Sequence, residues 1–421
     1  MKALKREMIL LAGSIIALAG TAAAQTVIVA GTGDPNLDVP AVQAAVDQGG
    51  SVVLRGHFSF DKPPTTPAGA TISRMVTVSK NVAISGSPDA SGDLPTIEGG
   101  EWPLLVDAIA SRVTIQGLHF VRPTAGAIWI YAVSGLLVTG CRIENIDPSP
   151  TFGTQAGLTF SVSTAIFVGS DPHPPSQTQM GKPDNFSGTL AILNNDIDLG
   201  GPPVALSLGV VMFNVGKAPD NIVNIYVSGN NIRNSTEPLI NFRIIGGQAY
   251  AERNVLTTGN VMGGSANPDA IRVVGAGSYL IAHNSVDCGW VDGAAAGINV
   301  IGQSAPLPET SAIIFDNDVT MSAAEGTIFS ANSAGIEMRG FAQGNSVLNN
   351  RIRGRARSAV SVLGQNGGTP GNSSFVGNDL SGFQSSLTDI FVDAGAIGTS
   401  FIGRQATIED HGSNTVMVPM P

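Results

Sequence analysis

The residues best suited to chemistry in this 421-residue chain are arginines and carboxylates set among strand-like triplets. Asp269 stands three residues before Arg272, and Asn299, Glu337 and Arg339 follow at intervals matching a repeat of the chain. An acid or base beside fixed positive charge can move a proton while stabilising the anion that develops, which is what eliminative cleavage beside a carboxylate requires. Two carboxylates flanking a bond would instead suit hydrolysis, and Asp269 with Glu337 is the candidate pair. The same two acids are candidate calcium ligands. Asn241 and Arg243 extend the polar set towards the N-terminus, and Trp129 and Tyr131 could stack on sugar rings. We therefore take Arg272, Glu337 and Asp269 as candidate catalytic residues. Trp129, Tyr131, Asn241, Arg243, Asn299 and Arg339 are the candidate substrate contacts. For each residue alone, an ordinary polar surface is the competing explanation.

What would bring these residues together is a repeated coil. Ile271 and Val273 alternate with Arg272, a Gly-rich turn leads to 279–282, and Asn284 makes a sharp corner before a third short strand. The corner recurs at Asn195, Asn230, Asn317, Asn350 and Asn378, with Cys141 as a variant. The first strand recurs as Ala-Ile-Trp-Ile, Ala-Ile-Phe-Val, Gly-Ile-Asn-Val, Gly-Ile-Glu-Met and Ala-Val-Ser-Val. Such units bury a core only by stacking. A leucine-rich horseshoe shares the Leu-x-x-Asn pattern, but the rest of each unit is β-branched without helical periodicity. The expectation is a right-handed parallel β-helix. Alternation then assigns one outward row: Trp129, Phe167, Ser207, Asn241, Arg272, Asn299, Glu337, Ser361 and Phe391. Two residues on lie Tyr131, Arg243, Arg339 and Asp393.

At the start, Lys2, Lys5 and Arg6 precede the apolar run 8–20 and the small residues Ala22-Ala23-Ala24. This reads as a secretory signal peptide over 1–24, too short to span a bilayer, so an exported periplasmic or secreted protein without an integral membrane segment is expected. Residues 25–403 form the β-helix domain, and 404–421 read as a C-terminal tail. A helix capped by Asp38, with Pro40 in its first turn and Gly49-Gly50 as its stop, should plug the first coil. Loss of the leader's three basic residues and one acid takes the formal charge from −10 to −12. So acidic a chain lacks the broad basic surface of a nucleic-acid binder. Cys141 and Cys288 fall several coils apart, about 20 Å at the strand spacing, too far for a disulfide. No zinc or copper spacing occurs among the five histidines.

The order helix, Gly-Gly-Ser-Val-Val-Leu, Lys-Asn-Val-x-Ile-x-Gly, then Ala-Ile-x-Val and Asn-x-Ile units resembles the pectin lyase-like superfamily over residues 34–403. The resemblance implies a groove along the first strand's outer face. It also implies a polysaccharide partner, with Arg serving as base in lyases of that group. The Asn-Thr-Asp, Asp-Asp and Gly-His-Gly set of polygalacturonases is absent, as is the aspartate cluster of pectate lyases. Arg243, Arg272 and Arg339, together with the run Arg351, Arg353, Arg355 and Arg357, favour an anionic polymer. The reading is a monomeric polysaccharide-binding protein with β-elimination as its reaction. The alternative is a non-catalytic surface or periplasmic rod.

Overall fold

The computed structural model describes residues 26–61, 75–146, 154–155, 158–159, 162–169, 186–200, 206–215, 223–244, 246–259, 269–290, 295–302, 310–323, 326–329, 333–364, 368–403 and 406–419. The proposed leader, and most of the loops expected after 147, 170 and 302, lie outside them.

The alternation of apolar and polar residues in each short strand is satisfied by stacking strands in parallel, coil over coil. In the coil that carries Arg272, Ile271–Val274 lies on one face, Ser278–Ala282 on a second and Ser285–Trp290 on a third. Apart from the short antiparallel pair Thr154–Gln155 and Leu158–Thr159, the described strands pair in parallel with their counterparts in the next coil; Ile271, for example, faces Ile298, Tyr279 faces Ala312 and Val286 faces Val319. The first and second faces join into one 24-stranded sheet, because Leu104–Gln116 and Ile128–Thr139 run through both; the third face is an 11-stranded sheet. This is the right-handed parallel β-helix that the repeat implied.

The inward side chains form one continuous core. Ile271, Val273, Ile281, Ile298, Val300 and Ile314 are fully buried, each worth about 1.5–3 kcal/mol of transfer free energy. Space is tight where the first face begins. A Cβ on Gly335 would sit 2.4 Å from Ile352 Cγ2, so glycine lets the first and third faces close on each other.

The corner asparagines form a ladder inside the coil. Asn284 Nδ2 and its backbone N–H both donate to Asn317 Oδ1 (2.9 and 3.0 Å), and Asn317 donates likewise to Asn350 (2.8 and 3.0 Å). Asn195, Asn230 and Asn254 continue it upward, and Cys141 N–H donates to Asn195. Asn254 is a rung that the sequence reading missed. The left-handed turn lies one residue earlier than expected, at Asn194, Arg253, His283, Asp316 and Asn349 (φ 53–58°), or at glycine in other coils. The ladder asparagine is thus selected for its amide, and its neighbour for the turn.

The capping helix is present but starts a turn earlier than expected. It spans Pro35–Val46 with Asp34 as N-cap and Pro35 in the first turn. Asp38 is instead buried, its carboxylate accepting N–H bonds from Thr32, Gly33 and Ser59. Past residue 404, where a tail was expected, Ile408–Asp410 and Val416–Pro419 pair with Ile390–Val392 and Ser400–Gly403, extending the stack. Cys141 and Cys288 form no disulfide and are buried; burial pushes their thiols up, to about 11 and about 12.

Candidate functional site

Because each first-face strand pairs in register with the next, a residue at the outward position lies directly over its counterpart. Asn241 pairs with Arg272, Arg272 with Asn299, Asn299 with Glu337 and Glu337 with Ser361. The neighbouring outward row brings Arg243, Val274, Ile301 and Arg339 into line. One expected member is wrong. Ser207 pairs with Ser163, and Val211 occupies the row between Phe167 and Asn241. The loop ahead of that strand concealed its register.

Asp269 organises the middle of the row. Its Oδ2 accepts from Arg272 Nε at 2.7 Å and from Asn299 Nδ2 at 3.1 Å, while Oδ1 accepts from Ala296 N–H at 3.0 Å. Glu237 Oε2 lies 4.0 Å from Arg272 Nη1 on the other side. Sequence reasoning missed Glu237, although it stands just ahead of its first-face strand much as Asp269 does. The two acids offset the loss of hydration at Arg272, whose pKa lies above its ordinary value. Arg243 differs: burial lowers its pKa.

Glu337 is the most perturbed group. It has no exposed surface, and its Oε1 lies 3.4 Å from Arg339 Nε. Burial pushes its carboxyl up to about 8; Arg339 and Arg272 pull the other way, and Asp269 adds to the rise. The Asn299 side chain beside it also holds the carboxyl down, but neither oxygen has a hydrogen bond of good geometry within the protein. The same holds for Asn241 Oδ1, Asn299 Oδ1 and Ser361 Oγ. These atoms belong to residues aligned in one row, beside guanidiniums that keep a little surface: the Arg272 and Arg339 side chains are each 17% exposed. Unmet buried acceptors are costly, so a file of them marks a place built to receive donors.

The residues do not fit a calcium ion. The Asp269 carboxylate accepts from three N–H donors, Arg339 stands against Glu337, and among the described residues no three metal-ligating side chains converge.

The aromatic end of the row is a small separate core. Trp102, Ala125, Phe167, Leu208 and Val211 pack together outside the coil, with Met75 and Trp129 against them. Trp129 donates from Nε1 to Gly169 O at 2.9 Å, and its ring lies 6.2 Å from those of Trp102 and Tyr131. Tyr131 sits at a bulge, since Ile130 pairs with Val106 and Ala132 with Asp107. Phe167 and Val211 are buried, so the outward row is not one open groove from Trp129 to Arg272. The basic run also divides. Arg351 and Arg353 lie on the third face against Asp318 and Asp379, whereas Arg357 reaches the first face over the Phe391 ring at 5.4 Å.

No known family profile matches the sequence, and no curated protein matches it. Solved structures that resemble it include a mannuronic acid specific polysaccharide family 6 lyase from human gut microbiota, at 13% identity and TM-score 0.43 over 94% of this chain and 91% of that one. PfbA, a surface adhesin of Streptococcus pneumoniae, resembles it at 11% identity and TM-score 0.40 over 91% of each chain. Tailspike protein 3 of bacteriophage CBA120 does so at 10% identity and TM-score 0.40, over 100% of this chain and 67% of the other.

Proposed function

We propose that this chain is an exported protein that binds an anionic polysaccharide along the C-terminal half of the first face and cleaves it by β-elimination. The observation that supports this best is the row of buried acceptors at Asn241, Asn299, Glu337 and Ser361 beside the guanidiniums of Arg272 and Arg339. A sugar acid offers the complement: hydroxyl donors for the acceptors and a carboxylate for the arginines. Partly exposed Trp129 and Tyr131, four rungs or about 20 Å away, offer a second contact to a long polymer.

In the eliminative step, Arg272 and Arg339 neutralise the sugar carboxylate and so acidify the adjacent C–H. Glu337, as carboxylate, takes that proton. The freed electron pair forms a carbon–carbon double bond, the glycosidic C–O bond breaks, and the leaving oxygen is protonated by water. Asp269, held by three N–H donors, is a positioning residue for Arg272 and Asn299.

The complete burial of Glu337 favours a second reading, a non-catalytic adhesive rod using the same binding row. Incubation with alginate, pectate, hyaluronan and neutral glycans separates the two, with binding read by affinity electrophoresis and cleavage by absorbance of unsaturated ends. We expect anionic polymers alone to bind, more weakly with added salt. Arg339→Gln should weaken binding at least tenfold, and Glu337→Gln should abolish product while retaining binding. Binding without product from any polymer selects the adhesive reading. If no anionic polymer binds, or Arg339→Gln binds equally well, both fail.

A further inference from the structure

Positive charge is scarce around the first-face row. Between 254 and 350 the chain holds two residues of fixed positive charge, Arg272 and Arg339, against eight acids. Arg272 is itself flanked, with Asp269 accepting from its Nε at 2.7 Å and Glu237 Oε2 lying 4.0 Å from its Nη1. The corner that carries Glu237 is pinned to the coil before it. Ser207 N–H donates to Thr236 Oγ1 (2.8 Å), Thr236 N–H donates to Ser207 Oγ (3.1 Å), and Glu237 N–H donates to Ser207 O (3.0 Å). The five rungs from Asn241 to Ser361 thus set Arg243, Arg272 and Arg339 against Asp269 and Glu237. Glu337 keeps its proton at neutral pH, because burial pushes its carboxyl up to about 8. Among the described residues, one net positive charge therefore serves about 20 Å of this face.

The rungs on either side of Arg272 carry amides. Asn299 Nδ2 donates to Asp269, so Oδ1 is the atom left over, and it makes no hydrogen bond of good geometry. A sugar hydroxyl donates to such an atom, whereas an ionised carboxylate can only accept and so opposes it. Given the row as the polysaccharide site proposed above, we propose that it selects a polymer whose acids are spaced by neutral sugars, holding one carboxylate between Arg272 and Arg339 and hydroxyls at the neighbouring rungs. A pyranose ring advances a chain by about 5 Å, close to the ~4.8 Å between rungs, so the five rungs face roughly four sugars. A polymer with a carboxylate on every sugar brings several negative charges to a stretch with one positive charge to spare, and sets one of them against Asp269 and Glu237. Partial burial makes that repulsion stronger than it would be in open water. Glu237 is then a specificity-determining residue: it offsets Arg272 towards a second carboxylate, while Asp269 holds the guanidinium in place.

Pectate and alginate, each fully charged and with about three quarters of its carboxylates methyl-esterified, test this by affinity electrophoresis at equal sugar concentration. Each partial ester should bind at least fivefold more tightly than its charged parent. Hyaluronan, whose acids already alternate with neutral sugars, should also bind more tightly than either parent. Glu237→Gln should tighten the charged parents at least threefold and change the esters less. Asp287→Asn, which removes the same charge from the third face, should tighten neither. A charged parent that binds as tightly as its ester, or a Glu237→Gln protein with the wild-type ranking, overturns the proposal while polysaccharide binding itself stands. No binding by any of these polymers overturns the site and its selectivity together.

Discussion

Glu337 is where a single side chain departs furthest from ordinary behaviour. A carboxyl raised from 4.5 to about 8 by burial binds its proton more tightly folded than unfolded. Its contribution is therefore fully present below pH ~4.5, declines as pH rises through the window up to about 8, and stays lost above it, at up to ~1.4 kcal/mol per pH unit. Glu337→Gln, neutral at every pH, should remove that slope. The variant should melt near the wild type at pH 5 and clearly higher at pH 9, and equal melting curves at both would refute the assignment. The position of Glu337 was legible in the sequence, since Gly-Ile-Glu-Met alternates like its neighbours. Its burial was not, because nothing in a triplet tells whether the outward side chain meets water.

At the scale of the element, the Asn ladder was the most legible feature, because one residue type recurs at one structural position. What remained hidden had physical causes. Asn254 sits in a coil of 24 residues, where Asn230 is its predecessor, rather than the 33 of later coils, so spacing alone passed over it. Ser207 was misplaced because loop length varies freely between faces. Asp38 looked like a cap because acids favour first turns, but its carboxylate is turned inward to the loop and strand backbone. The ladder also ranks its own members. Asn317 accepts two bonds from Asn284 and gives bonds to Asn350 Oδ1 and Ile281 O. Asn317→Ala should cost about 3 kcal/mol by orphaning buried groups on both sides. Asn378→Ala, at the last rung, should cost about 1 kcal/mol. Urea denaturation checks this, and equal losses would deny the ladder any dependence on its interior.

The whole molecule is asymmetric along its axis. The helix Pro35–Val46 closes the first coil, whereas the last rungs lie beside a cavity of about 320 Å³ lined by Phe375, Ile390, Phe401 and Met417. In a stack stabilised by nearest neighbours, opening propagates from the weaker end. Amide hydrogen exchange should accordingly be slow in the described strands between 76 and 363 and quicken progressively towards 416–419. Uniform protection to the last strand would contradict this. The corner bonds carry one more consequence. Asn284 and Asn317 stand 33 residues apart, each after a left-handed residue and each bonded to the asparagine next in line and to a strand carbonyl of the preceding coil, Ala251 O and Ile281 O. Cutting out 284–316 would rejoin His283 to Asn317 with the same local geometry on both sides of the splice, so the chain is divisible into whole turns, and its length is a matter of counting rather than of design.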